Sequence, residues 1–99
     1  MRYRFRDEQL SKLYKFDGPH TARFDPAIVK RFRERVKAIE SAKDERDLHA
    51  IRSFRFKKLA GNRDHQYSLR LNDQWRLIVE LEKDDSYTVV DIISVEDYH

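Results

Sequence analysis

The sequence predicts an α+β fold with two N-terminal helices packed on an antiparallel β-sheet, in a single domain covering residues 1–99. Apolar residues recur at helical spacing in the first half of the chain and alternate with polar residues in the second half. Short turn sequences separate the alternating runs, so successive strands must be antiparallel. Helices followed by hairpins are typical of a helical layer on one face of a sheet.

Two helices are predicted in the first half. Asp7 can cap a helix that runs to about Phe16, and Gly18-Pro19 then breaks the chain. Asp25-Pro26 is a strong helix start, because Asp supplies a capping acceptor and Pro fits the first helical position. This second helix should reach about Ala42. Its apolar positions predict a buried stripe: Ile28, Phe32, Val36 and Ile39.

The second half is predicted to be mainly strand. The charged segment Lys43–Ala50 allows a short helix, after which the hydrophobic period falls to two. Three strands are predicted: Tyr67–Leu71, Trp75–Leu81 and Tyr87–Ile93. The two natural hairpin turns are Asn72-Asp73-Gln74 and Asp84-Asp85-Ser86. We also expect an edge strand near Phe54–Leu59, and the alternation of Tyr3–Phe5 leaves open whether that segment joins the sheet.

The composition indicates a small globular protein and excludes several other classes of protein. Hydrophobic and charged residues each make up 39% of the chain, which predicts a small core under a highly charged surface. The chain has no cysteine, which excludes disulfides and thiolate zinc sites and permits a reducing compartment. No apolar run is long enough for a transmembrane helix or a signal peptide. We therefore expect a soluble cytoplasmic protein that does not contact a membrane.

The charges are distributed unevenly, although the formal net charge is only +3. From Lys30 to Lys37, five basic residues stand against one acidic residue, and from Arg52 to Arg70 the ratio is six to one. From Glu80 onward acidic residues dominate. Basic surfaces of this kind suit a polyanion, most often nucleic acid, although an ordinary solvated surface is the alternative.

One reaction matches the polar residues of the second half, namely cleavage of RNA by its own 2′-hydroxyl. That reaction needs a proton acceptor, cations that stabilise the charge on phosphate and a proton donor for the leaving oxygen, but no metal or cofactor. The candidate cations are Lys57, Lys58, Arg63 and Arg76. Arg76 lies within a predicted strand, which would hold it rigidly, and Arg63 follows Gly61 on a connection.

The last three residues of the sequence, Asp97, Tyr98 and His99, also carry titratable groups. In an extended tail Asp97 and His99 point to the same side, so Asp97 could orient the imidazole while Tyr98 stacks on a base. A frayed tail is the alternative, and Arg76 could equally be a surface arginine. The sequence contains no metal-ligand spacing, no glycine-rich phosphate loop and no nucleophile elbow.

Three linked stretches resemble a known family. They are Leu59-Ala60-Gly61-Asn62-Arg63, the run from Tyr67 through Asn72-Asp73-Gln74-Trp75-Arg76, and Glu96-Asp97-Tyr98-His99. In order and spacing they are similar to the HigB branch (plasmid-maintenance killer proteins) of the RelE superfamily of toxins. The resemblance spans the chain but is specific only from about Lys57, and the first half matches more loosely.

The resemblance implies an mRNA interferase that acts on translating ribosomes and inhibits translation. It also implies a helix-turn-helix antitoxin of the HigA type, through which alone the toxin would reach operator DNA. The positions that match catalytic ones are Arg63, Arg76, Asp97, Tyr98 and His99. Further contacts to RNA phosphate would come from Lys57, Lys58 and Arg70, and contacts to ribosomal RNA from Lys30, Arg31, Arg33, Arg35 and Lys37.

Two positions depart from the family pattern. Lys57 stands where many relatives have histidine, and lysine is a poor general base near neutral pH unless its pKa is lowered. Ala60 replaces a common lysine, which removes one phosphate contact. These departures keep a second hypothesis open, that of a non-catalytic module that binds RNA or protein. A DNA-binding protein in its own right ranks last, because no recognition helix pair with a tight turn is evident.

Overall fold

A computed structural model describes residues 1–15 and 24–97 of the chain. Its strands are β1 (Arg2–Phe5), β2 (Lys57–Lys58), β3 (Gln66–Arg70), β4 (Trp75–Lys83) and β5 (Thr88–Asp97). Its helices are α1 (Glu8–Lys15), α2 (Pro26–Ser41) and α3 (Glu45–Ala50), with 3₁₀ turns at Arg52–Phe54 and Gly61–Arg63. The α+β prediction is confirmed. No helix in these ranges is both long and apolar enough to cross a bilayer.

The five strands form one mixed sheet in the order β1-β5-β4-β3-β2. Strands β2 to β5 are antiparallel neighbours, as the hairpin turns predicted. Strand β1 joins the sheet beside β5 and runs parallel to it, so the sheet is mixed, whereas the sequence predicted an antiparallel sheet and left open whether this segment joins it. No hairpin connects these two strands, so packing and not a turn sets their relative direction.

The helices begin where the capping residues predicted. The Asp25 carboxylate accepts a hydrogen bond of 3.0 Å from the amide of Ile28, and Pro26 opens α2. At α1, Asp7 accepts from the amide of Gln9 at 2.8 Å. The predicted apolar stripe of α2 is buried and belongs to the core cluster, together with sheet residues such as Leu77 and Val79. The predicted end of α1 at Phe16 and the break at Gly18-Pro19 lie outside the described residues.

The last strand extends further than the sequence predicted. Strand β5 continues from the predicted end at Ile93 to Asp97, and its final residues pair with β4 in the order Trp75 to Asp97 and Arg76 to Glu96. Asp97 therefore lies in a paired strand and not in a frayed tail. Tyr98 and His99 lie outside the described residues.

Strand alternation gives the sheet a second face, which we call the open face. Leu77 and Val79 of β4 point into the core under the helices, so Arg76, Ile78 and Glu80 point the other way. The register aligns these side chains in rows across the sheet. One row is Arg70, Arg76 and Glu96, and the next is Lys57, Ser68, Ile78 and Ser94.

Candidate active site

A cavity of about 260 Å³ opens on this face between β3, β4 and β5. Its polar lining residues are Arg63, Ser68, Arg76, Glu96 and Asp97, and its apolar lining residues are Leu59, Ala60 and Ile78. Three of the five residues predicted to be catalytic are therefore brought together, although Arg63 is distant from the other two in the sequence.

Arg76 is the most buried cation of the cavity. Its side chain leaves the second position of β4, and only 8% of the residue is exposed. Its Nη1 atom donates a 2.7 Å hydrogen bond to the carbonyl of Asn72 in the turn between β3 and β4. The Asn72 side chain in turn accepts from the amides of Gln74 and Trp75. The turn and the strand together therefore fix the guanidinium, as the sequence predicted for a strand position.

Arg63 is held from two sides. Its Nε atom donates to the Gln66 side-chain oxygen at 2.9 Å, and its Nη2 atom donates to Glu96 at 3.0 Å. Gln66 donates onward to Glu80 at 3.1 Å. The 3₁₀ turn that carries Arg63 starts at Gly61, whose φ of +68° is in the left-handed region that favours glycine. The local sequence thus brings the guanidinium over the end of β3.

Two carboxylates complete the polar lining. Burial opposes ionisation of Glu96, but hydrogen bonds from Arg63 and Ser94 outweigh it and lower the pKa of this carboxyl. Glu96 is therefore ionised at neutral pH. Asp97 is exposed at the end of β5, and its carboxylate accepts a 3.2 Å hydrogen bond from Nε2 of the Gln74 side chain. Two guanidinium groups thus stand beside two carboxylates, which combines groups for binding an anion with groups for accepting a proton.

The remaining predicted phosphate contacts are Lys57, Lys58 and Arg70. Lys57 is exposed and pairs with Ser68 across β2 and β3, and Lys58 is exposed beside it. Arg70 pairs with Arg76 across β3 and β4, and its guanidinium contacts Asp73 in the turn. Lys57 and Arg70 therefore belong to the rows of the open face beside the cavity, whereas Lys58 pairs with Tyr67 and so lies on the opposite face of the sheet. Tyr98 and His99 lie outside the described residues.

The basic helix α2 is less exposed than its charges suggest. Arg31 and Arg33 donate to the carbonyls of Leu71 and Leu13, each with a bond of 2.9 Å. Arg35 is only 8% exposed, donates to the carbonyl of Arg70 at 3.1 Å and covers a phenylalanine ring. Burial lowers the pKa of this guanidinium. Among the residues predicted to contact ribosomal RNA, Arg35 is therefore buried, whereas Lys30, Arg31 and Lys37 are exposed.

A second ionic cluster lies on the open face, towards β1. Asp91 is only 1% exposed and accepts hydrogen bonds from Arg4 at 3.2 Å and Arg6 at 2.9 Å. The bond from Arg4 is the main reason why the pKa of Asp91 is lowered. Arg6 also donates to Glu80, the carboxylate that holds Gln66. Hydrogen bonds therefore run continuously from Asp91 to Arg63.

Sequence reasoning missed several residues that shape the cavity, namely Gln66, Ser68, Asn72 and the role of Glu96. Strand alternation could have identified Ser68, because neighbouring residues of a strand point to opposite faces and Leu69 of β3 points into the core. The hydrogen-bond partners of Arg63 could not be predicted from the spacing of residues in the sequence, because the register between strands determines them.

Nowhere in residues 1–15 and 24–97 do three or more His, Asp or Glu side chains gather into a group that could hold a metal.

Comparison with known proteins places this arrangement in a family. The sequence profile of the RelE-like toxin of the type II toxin-antitoxin system HigB matches residues 3–99. This chain belongs to the HigB-like toxin family. It is thus a RelE-like toxin of a type II toxin-antitoxin system. No curated protein matches the chain.

Solved structures of similar toxins share the fold of this HigB-like toxin. A YoeB/ParE toxin from Agrobacterium tumefaciens superposes with a TM-score of 0.62 at 12% identity, over 100% of both chains. A chain of the YoeB-YefM complex from Staphylococcus aureus superposes with a TM-score of 0.59 at 24% identity, over 100% of this chain and 97% of that one. At these identities the likeness shows the fold alone.

Proposed function

We propose that this toxin is an endoribonuclease that cleaves messenger RNA on the ribosome and so inhibits translation. The 2′-hydroxyl of the RNA would attack the neighbouring phosphate in the cavity of the open face. The observation that carries the proposal is the convergence of Arg63 and Arg76 on one cavity beside the carboxylates of Glu96 and Asp97. Fixed cations next to proton acceptors are what this reaction requires.

Arg76 and Arg63 would bind the scissile phosphate. The Arg76 guanidinium is held by the carbonyl of Asn72, so little reorganisation of this group is needed as charge develops on the phosphate. Glu96 competes with the RNA for Arg63, and a phosphate would have to replace part of that contact. Lys57 and Arg70 would bind the flanking backbone, since they belong to the rows of the open face beside the cavity, and Lys58 would add positive charge at the same edge strand.

The proton transfers are assigned to Asp97 and His99. Asp97 lines the cavity, and His99 follows it at a spacing of two residues in the sequence. In this proposal one of the two accepts the 2′-hydroxyl proton, the other protonates the 5′-oxygen, and Tyr98 stacks on a base. Lys57 would supply positive charge and is given no part in the proton transfers.

The proposed partners follow from the family and the surface charges. A helix-turn-helix antitoxin of the HigA type would neutralise the toxin and would carry it to operator DNA. Ribosomal RNA would contact the exposed basic residues of α2 through its phosphates. Within the proposed set of Lys30, Arg31, Arg33, Arg35 and Lys37, the two exposed lysines are best placed, since the arginines also bind backbone carbonyls. The site of action would be the cytoplasm.

A toxicity assay tests this function. We expect Arg76→Ala and His99→Ala each to abolish most of the growth arrest that follows brief expression, while both variants remain folded and abundant. Arg46→Ala is a matched control, because Arg46 is exposed on α3 and its guanidinium bonds to Asp44 and not to a cavity residue. Full toxicity of a folded Arg76→Ala, His99→Ala double variant would contradict the assignment.

A non-catalytic binding module is the second candidate function. Ala60 lines the cavity where many relatives have lysine, so this cavity has one cation fewer. A binding module would not arrest growth at low expression, whereas an enzyme would. If the wild-type protein binds ribosomes but leaves transcripts intact, the binding module is the better description.

A further inference from the structure

Ser68 has an unusual environment for a serine in the middle of a strand. Only 2% of the residue is exposed, and its hydroxyl oxygen has no hydrogen-bond partner among the described residues. Buried polar groups are nearly always paired, because an unpaired one loses its hydration without compensation. A serine kept in this state therefore needs an explanation.

The location of the hydroxyl supplies that explanation. Ser68 lines the cavity together with Arg63 and Arg76. Its neighbours along β3 are Tyr67 and Leu69, which face the core, so Ser68 faces the cavity. The cavity thus presents a hydroxyl donor together with two guanidinium groups, and such a set of donors suits the oxygens of a phosphodiester.

A serine in the same cross-strand row provides the contrast. Ser94 belongs to the row of Ser68 and Ile78, and its hydroxyl donates to Glu96 at 2.7 Å. Ser94 therefore has a structural partner on the sheet, whereas Ser68 has none among the described residues. Packing alone does not account for a hydroxyl at position 68, since alanine would fill this strand position without burying an unpaired group.

We propose that Ser68 is a substrate-binding residue whose hydroxyl donates a hydrogen bond to a phosphate oxygen of the RNA held between Arg63 and Arg76. This inference rests on the proposed nuclease function. The hydroxyl would stay unpaired in the free toxin and would form a hydrogen bond only when the phosphate is bound. Its contribution would then appear in substrate binding and cleavage and not in the stability of the fold.

The test is the variant Ser68→Ala, with Ser53→Ala as the control for an exposed serine outside the cavity. Binding of inorganic phosphate is followed by titration of backbone amide shifts at constant ionic strength, so that general anion binding by the basic surface is held fixed. Cleavage is measured in a purified translation system, and stability is measured by thermal unfolding.

We expect Ser68→Ala to bind phosphate about 10-fold more weakly and to cleave about 10- to 100-fold more slowly, which is the range for one hydrogen bond to a charged group. Its unfolding midpoint should equal or exceed that of the wild type, because no hydrogen bond of the free protein is lost. Ser53→Ala should match the wild type in phosphate binding and cleavage. A lower midpoint with unchanged phosphate affinity would make Ser68 a structural residue and overturn the proposal.

The two proposals fail in different ways. If the wild type cleaves and Ser68→Ala cleaves equally well, the role of Ser68 is wrong and the nuclease function stands. If the wild type does not cleave but its phosphate affinity depends on Ser68, the nuclease function is wrong and the phosphate site stands. If the wild type binds no phosphate and the two proteins behave alike in cleavage, the Ser68 site is refuted.

Discussion

Replacing Asp91 with alanine should destabilise the fold. Asp91 is 1% exposed and binds two arginines, but the side chains of Arg4 and Arg6 are 57% and 53% exposed. A fully buried charged hydrogen bond contributes about 1.5–3 kcal/mol, whereas an exposed ion pair contributes about 0–1 kcal/mol. Solvent screening of the arginines places each interaction between these limits, so we expect a total loss of about 2–3 kcal/mol.

The expected loss of stability is smaller than the loss on breaking a fully buried ion pair, because water can hydrate Arg4 and Arg6 once the carboxylate is gone. Urea unfolding at neutral pH measures it, and the thermal midpoint should fall by on the order of 10 °C. Glu82→Ala is the matched control, since Glu82 binds the same Arg4 but is 62% exposed and should cost less than about 1 kcal/mol. If Asp91→Ala is no more destabilising than Glu82→Ala, the reasoning about this cluster is refuted.

Three further predictions concern pH, the turn and the support of Arg63. The hydrogen bond from Arg46 lowers the pKa of Asp44 to about 2, and the pKa of Glu96 is also lowered. The stability that these two ionised carboxylates add is therefore present above their unfolded pKa and is lost as the pH falls from about 4 to about 2. Unfolding measured across this pH range should show the decline in stability. Gly61→Ala should cost about 1 kcal/mol in a urea titration, because the φ of +68° is strained for alanine although nothing lies within 4 Å of the added carbon. Gln66→Ala should lower the rate of RNA cleavage about 10-fold by freeing one side of Arg63, and an unchanged rate would show that Glu96 alone positions that guanidinium.

The sequence predicted most of the fold, because its elements are specified locally. Asp25 and Pro26 start α2 through capping and backbone geometry that need no tertiary context. The alternation from Tyr67 to Leu81 fixed which side chains face the core and therefore which face the cavity. The parallel pairing of β1 with β5 could not be predicted, since it joins the two ends of the chain without a turn that sets its direction.

Part of the candidate site was also predictable, and part was not. Arg63, Arg76 and Asp97, which the sequence singled out, line one cavity, and their catalytic role stays a prediction. The partners that hold them depend on the register between strands, as in the contact of Arg63 with Glu96, and spacing does not give that register. The burial of Arg35 was missed for a similar reason, because the carbonyl that it binds belongs to β3.

The central claim is that the cavity on the open face cleaves messenger RNA during translation. Mapping transcript 5′ ends after brief induction tests it most directly, with the wild type compared with Arg76→Ala and His99→Ala at matched soluble levels. We expect new ends within translated frames that appear with the wild type and are absent from both variants. An absence of new ends with abundant wild-type protein, or the same ends in both variants, would contradict the claim.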